Sequence, residues 1–533
     1  MSKKPIAAPA LALVATLLSA LQGWSADAVT RRPQLFLSIM VDGLRSDYLE
    51  LLSEYFGSDG FNRLMRDGVI LDQVEYGPLV DAAGATAMVY TGAAPDVNGI
   101  ATASVYSTER HLTLPALLDP SKIGNYTTET LSPAALLAST LSDEVRIDGG
   151  GASYVHSIAP DAARAIIMAG HAGNSAFWIN DADGRWATTT HYRDVPPTIT
   201  TRNFSNPLAN RIDTITWAPL LPADKYPALP EHKRHYGFLH TFTGAGADKY
   251  RRFKLSAPVN EEVTTVATDY IRSLRLGSRD AMDMLSVAYT VAPYPGSTDT
   301  NARLETMDAY LRLDRQLARL LKEVDAQTGA GNAVILLTGT PSPAPTDPDD
   351  PKWGLPTGEF SARKAMSLLN MYLIACHGNG EWVTDFNDGR FYLNNKLIAD
   401  KHLSAEDVRS DAAKFLMKMS GVAAAHTIDD ILEHRTDDSL KRNTVVGQAA
   451  DIYITIQPGW VMVDDTVSPT VRTTVRYAAT DSPAIVFAPG RLLAARIATP
   501  VDARQIAPTV ARILRIRSPN GAAGSAISTI FAK

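Results

Sequence analysis

Two hydrophobic rhythms divide this chain. Short unbroken apolar runs, Leu35–Val41, Asp283–Val291, Ala333–Thr338 and Pro483–Phe487, have the length and β-branched content of strands buried on both faces. Between two of them, from Ala302 to Val324, apolar residues recur at Leu304, Met307, Leu311, Leu317, Leu321 and Val324. That is the spacing of an amphipathic helix, closed by Gly329 and Gly331. Strand, helix and strand in this order predict a strand–helix–strand crossover. A shorter helix is predicted over Ile506–Leu514. The pattern predicts an α/β fold in which a mostly parallel sheet is sandwiched by helices.

Two stretches break the rhythm and read as insertions into one core domain spanning 29–533. The first, about 172–257, is rich in Thr, Asn, Trp, Tyr and Pro, and is expected to cap the site. The second, about 341–443, opens with the turn-forming PSPAPTDPDDPKWG and continues with the β-like WVTDF and RFYLNNKLI. No internal repeat is evident.

Composition narrows the function classes. The chain has 533 residues, 45% of them hydrophobic, and a formal net charge of −6. That is enough for a large core and carries no basic footprint for nucleic acid. Lys3 and Lys4 precede an apolar run from Ala7 to Leu21, and Ala26-Asp27-Ala28 fits a small-x-small cleavage site. Residues 1–28 therefore predict a secretory signal and an exported, periplasmic or secreted protein. The run is about 15 residues, short of the roughly 20 that a membrane span needs, so no span is expected after cleavage. The only cysteine, Cys376, excludes an intramolecular disulfide and a thiolate metal cluster, and is expected to be a buried thiol.

Candidate chemistry starts at the first strand. Leu35–Val41 ends in Asp42-Gly43, so a buried strand delivers a carboxylate to the carboxyl edge of the sheet, where open α/β folds place their sites. The segments VDGLRSDY at Val41–Tyr48, YTGAAPDVNGI at Tyr90–Ile100, AGHAGNSAFWIND at Ala169–Asp181 and DAYLRLDRQLARLLKEVD at Asp308–Asp325 extend the argument. So do SLLNMYLIACHGNGEWV at Ser367–Val383, RFYLNNKLI at Arg390–Ile398 and QIAPTVARIL at Gln505–Leu514. In these motifs and their order the chain resembles the alkaline phosphatase superfamily, specifically secreted, phosphate-irrepressible members with a threonine nucleophile. The resemblance runs from about Arg32 to Asn520.

The resemblance implies an alkaline phosphatase-like core, two zinc ions on Asp and His ligands, and a Thr nucleophile at a helix N-terminus. It also implies an Asn and a Lys–Arg pair around the phosphoryl oxygens. Asp42 matches the first zinc ligand. The nucleophile position is Ala82, and a one-residue slip offers only Asp81. The Asp-x-x-x-His ligand positions are Pro293 and Ser297, and the later Asp-His pair is Thr340-Pro341. A final His ligand cannot be recovered, because no histidine follows His434. The Lys and Arg positions become Asp161 and Ala163, with Asp161 expected to repel a phosphate dianion, and the Asn position becomes Ala103.

The expected reading is an exported pseudophosphatase that uses no cofactor, zinc being the family's metal. It would act as a binding or scaffold protein for an unidentified protein or small-molecule partner in the cell envelope. The alternative is a metal-dependent phosphomonoesterase or phosphodiesterase with a rebuilt or residual site. Asp42 and Asp81 could hold a hard cation, against a solvated acidic cleft in which Asp42 caps the following helix or ties a turn. His232, His235 and His240 permit a metal pair but read better as a basic loop surface, and Asp347, Asp349 and Asp350 as solvated turn chemistry. The tryptophans, Trp178, Trp186, Trp217, Trp353, Trp382 and Trp460, are expected mostly to anchor insertions and loops.

Overall fold

A computed structural model of the protein describes residues 32–531, apart from 111, 228, 230–233, 245, 298–301, 342–357, 458, 469–470 and 475–481. The expected signal, His232, Trp353 and the Asp347–Asp350 cluster lie outside the described residues.

The apolar runs form the centre of an 11-stranded sheet. β1 (Leu35–Asp42) has all eight residues buried. Four further strands are β2 (Val69–Glu75), β3 (Val155–Ala159), β4 (Ser175–Ile179) and β5 (Trp186–Thr189). β6 (Asp283–Thr290) and β7 (Ala333–Gly339) flank β1 on either side, both parallel to it, with Asp42 opposite Thr290 and Val41 opposite Gly339. β6, β3 and β4 continue the parallel run. The strand over Ser482–Phe487 pairs antiparallel with both β7 and β2, so the sheet is parallel at its centre and mixed at its margins.

Helices cover both faces, each over its own apolar cluster. α1 (Ser46–Leu51) follows β1, and α2 (Ala82–Thr91) and α3 (Ala162–Ala169) pack together. α4 (Pro258–Ser273) packs on α5 (Arg303–Thr328), the long amphipathic helix, which runs four residues beyond its last predicted apolar position. The C-terminal helix occupies Ile506–Leu514, as the periodicity predicts. A buried Tyr90 hydroxyl reaches Ser38 at 2.7 Å and Ser286 at 2.9 Å, satisfying the polar groups between α2 and the sheet.

Both stretches expected as insertions contribute strands to sheets. β4 and β5 belong to the central sheet, so the first insertion proper begins after Thr189. Its aromatic residues pack around Asp308 of α5, which is fully buried. There Asp308 accepts hydrogen bonds from Trp217 Nε1 (2.6 Å), the Tyr226 hydroxyl (2.7 Å) and Leu220 N (2.6 Å). The second interruption builds a unit with its own apolar cluster. It contains α6 (Ala362–His377), β8 (Val383–Asn387), β9 (Arg390–Leu393), α7 (Asn395–Asp400), α8 (Ala405–Leu416), β10 (Val422–Thr427), α9 (Asp438–Arg442) and β11 (Ile452–Ile456). Its strands pair in the order β8, β9, β11, β10, so the unit extends past residue 443. Asn394 caps α7 through Leu397 N at 3.0 Å, which makes the end of RFYLNNKLI helical rather than extended.

Expectations for the cysteine and for two of the tryptophans also change. Cys376 is exposed rather than buried, because Leu369 and Leu373 occupy the inward face of α6. Trp178 and Trp186 lie in sheet strands, and with Trp217 and Trp382 they are almost wholly buried, their indole N–H groups bonded to protein acceptors.

Candidate functional site

The positions expected to carry chemistry converge at the carboxyl edge of the central strands and the N-terminus of α2. Asp42 ends β1 and is 6% exposed. It does not cap the next helix: Arg45 is the N-cap of α1, and its side chain makes no capping hydrogen bond. Instead Thr340 Oγ1, just past β7, donates to Asp42 Oδ1 at 3.0 Å, and Val291 N donates to its backbone oxygen at 2.9 Å. Gly43 has φ +75°, and a Cβ there would lie 2.6 Å from Ala292 Cα, so this crowded turn requires glycine.

Ala82 is the first residue of α2, with Asp81 as N-cap. Asp81 Oδ1 accepts from Ala83 N at 2.8 Å and Gly84 N at 3.0 Å, while Oδ2 accepts from Ala103 N at 2.8 Å. Ala103, the expected Asn position, thus contributes its backbone N–H. Gly84 permits this arrangement, since a Cβ there would run into the Ala101 carbonyl oxygen. An anion is expected at a helix N-terminus, and here the protein's own carboxylate takes that place. Burial, and then the nearby Asp388 carboxylate, push the Asp81 carboxyl up to about 6 against the three N–H groups. Asp388 sits at the tip of the β8–β9 hairpin with φ +47°, followed by Gly389 at +77°, a pair suited to a type I′ turn. From the same hairpin Arg390 reaches the Leu79 carbonyl at 2.8 Å and joins the second unit to the core beside α2.

Asp161 does not act as a bare repelling charge. It caps α3, accepting Arg164 N at 3.0 Å, and its other oxygen pairs with Arg164 Nε at 2.6 Å. Burial works to raise the Asp161 carboxyl, yet Arg164 outweighs it and holds the group below the usual range. Ala163 lies inside the same helix without a polar side chain. Arg164, one residue later, went unrecognised in the sequence. It is 6% exposed, donates to the Tyr289 carbonyl at 3.1 Å, and places its charge near Asp42 and Asp81. A one-residue shift of the Lys-x-Arg comparison would have marked it.

Pro293 and Ser297 lie in the loop after β6. Ser297 Oγ donates to Glu305 Oε1 at 2.6 Å, and His240 Nε2 lies 3.2 Å from the same oxygen. His240 is therefore not on a basic loop surface. Its ring packs against Trp217, Phe238 and Tyr294, whereas His235 is exposed. The pairing of His240 with Glu305 gives no sequence signal, since one belongs to the first insertion and the other to α5.

These residues do not fit a pair of zinc ions. A zinc ligand would approach the ion to about 2.0–2.2 Å. Thr340 brings a hydroxyl where the family has a carboxylate, Ser297 is committed to Glu305, and Pro293 and Pro341 have no side-chain donor atom. Among the described residues, no group of three or more His, Cys, Asp or Glu side chains is arranged to hold a metal ion. Asp42 and Asp81 are held by separate protein donors.

Comparison with known proteins places this site in a family. The model of the type I phosphodiesterase / nucleotide pyrophosphatase family matches residues 36–477. The chain belongs to that family, within the alkaline phosphatase superfamily, a group of phosphoesterase type. It is 26% identical over 530 residues to alkaline phosphatase PafA of Elizabethkingia meningoseptica, covering 94% of this chain and 95% of the relative. Alkaline phosphatase PhoV of Synechococcus elongatus is also 26% identical, over 94% of this chain and 93% of its own. The crystal structure of wild-type PafA superposes with a TM-score of 0.81 at 24% identity, over 94% of this chain and all of that one, confirming the alkaline phosphatase-like fold. Among the described residues, no helix is long and apolar enough to cross a membrane.

Proposed function

We propose that this chain is an exported pseudophosphatase, a family member that has exchanged phosphoryl transfer for binding in the cell envelope. The observation that carries the reading is Asp81. Its carboxylate uses the α2 N-terminus and Ala103 N–H groups that would otherwise face a phosphoryl anion, beside an alanine that cannot attack phosphorus. The Thr340–Asp42 hydrogen bond supports it from the metal side. Losses within one catalytic unit do not compensate one another, so the combined replacement of nucleophile, ligands and cradle leaves no partial mechanism. Export rests on the leader pattern in residues 1–28.

Purified protein tests the reading through zinc content and turnover of a phosphomonoester and a phosphodiester. The expected result is neither stoichiometric zinc nor turnover above background, with capture of an envelope protein as the functional readout. Two bound zinc ions, or turnover abolished by Asp42→Ala, overturn it in favour of a residual metal-dependent phosphoesterase.

A further inference from the structure

A cavity of about 710 Å³ lies between the core and the second unit. Its core wall includes the end of β2, Met88 of α2, Arg504 and Pro341, and its other wall includes His426 and α9. Of the expected site positions, only Pro341 touches it. Volume and location suit a small-molecule site, since such sites commonly occupy 300–1,000 Å³ at boundaries between structural units.

The charges around it are unequally committed. Asp437 caps α9 by accepting Ser439 N at 2.9 Å. Asp502 pairs with Arg504 through Nη2 at 2.5 Å and Nε at 3.0 Å. The Asn443 amide is bonded to the Tyr76 and Pro78 carbonyls, and the Tyr76 hydroxyl to Gly339 O. Glu75 is at the exposed rim. Arg442, by contrast, has no hydrogen bond and no carboxylate within 4.0 Å among the described residues, although Asp96, Asp437 and Asp502 are close enough to feel its charge. A partly buried guanidinium without a direct acceptor favours an anionic guest. One such cation, with three acidic neighbours, matches a single negative charge better than a dianion. Val74, Met88 and Leu440 add an apolar wall.

We propose that this cavity binds a small-molecule carboxylate with an apolar body, the carboxylate on Arg442 and the body against Val74, Met88 and Leu440. The proposal is independent of whether the phosphatase site is inactive.

Isothermal titration of the purified protein with phenylacetate, octanoate, phenyl phosphate and inorganic phosphate tests it. At least one carboxylate is expected to saturate below about 10 mM and to bind more tightly than either phosphate. Arg442→Met should weaken that binding about tenfold or more, the scale of a lost charged hydrogen bond. The Arg442 side chain has no direct protein partner to lose, so the melting temperature without ligand should hold. Ser439→Phe, which narrows the cavity while leaving Arg442 in place, should weaken it as well. Failure of both carboxylates to saturate, tighter binding of a phosphate, or wild-type affinity in folded Arg442→Met overturns the proposal.

Discussion

Replacing Asp81 by Asn separates two opposing effects of one carboxylate. The near-isosteric amide keeps an oxygen for Ala83 N and Gly84 N, but turns an N–H toward Ala103 N, which loses its 2.8 Å acceptor. An unsatisfied backbone N–H of this kind costs about 1–3 kcal/mol at any pH. The substitution also removes a charge that the fold resists. The Asp81 carboxyl moves from its ordinary 3.8 to about 6, so the native state binds the proton more tightly than the unfolded chain. Stability then falls as pH rises from the unfolded pKa through the folded one, and levels above it. The full penalty is about 3 kcal/mol, of which about 2 kcal/mol develops between pH 4.5 and 8; both are upper values because the side chain keeps some solvent contact. Asp81→Asn is therefore less favourable at pH 4.5 than at pH 8 by up to about 2 kcal/mol, running from destabilising toward neutral or stabilising as pH rises. Urea denaturation of both proteins at the two pH values measures the difference. A substitution cost equal at both, within about 0.5 kcal/mol, would refute the reasoning and mean that the three N–H groups fully offset burial.

Other expected outcomes follow from neighbouring groups. Thr340→Val removes the hydroxyl bonded to Asp42 and should cost about 1–3 kcal/mol in urea denaturation; a loss under about 0.5 kcal/mol would make that bond incidental. Ala82→Thr alone should leave nitrophenyl phosphate turnover at background, because Pro293, Ser297, Thr340 and Pro341 still supply no metal site; a clear gain in rate would show a retained one. His171 Nδ1 lies 3.1 Å from Asp143 Oδ2, and its Nε2 lies 2.9 Å from Leu136 O. The Asp143 hydrogen bond raises the imidazole pKa above 6.5. The resulting stability is present below the unfolded pKa and is lost as pH rises through the folded one, so the cost of His171→Asn in thermal melts should shrink from pH 6 to pH 8.5. Asp308→Ala strips the buried anchor of the first insertion and should cost about 3–5 kcal/mol, with limited proteolysis revealing whether cleavage increases first around residues 213–226.

By itself the sequence determined the central architecture and which residue types stand at the positions the resemblance singles out. β1, β6, β7, α5 and the C-terminal helix lie where their periodicity puts them, because each buries a continuous face encoded by neighbouring residues. Ala82, Pro293 and Pro341 declare their missing side-chain chemistry at the level of composition. Only the tertiary structure decided what became of the polar groups that remain. Asp81 becomes an internal anion through Ala103, 22 residues away. Asp42 becomes a partner of Thr340, 298 residues away. Asp161 is neutralised by Arg164, His240 meets Glu305 across an insertion, and Arg442 faces a cavity bounded by two structural units. Local patterning carries burial and periodicity, but a charged group's state depends on the donors, charges and solvent that distant segments bring to it.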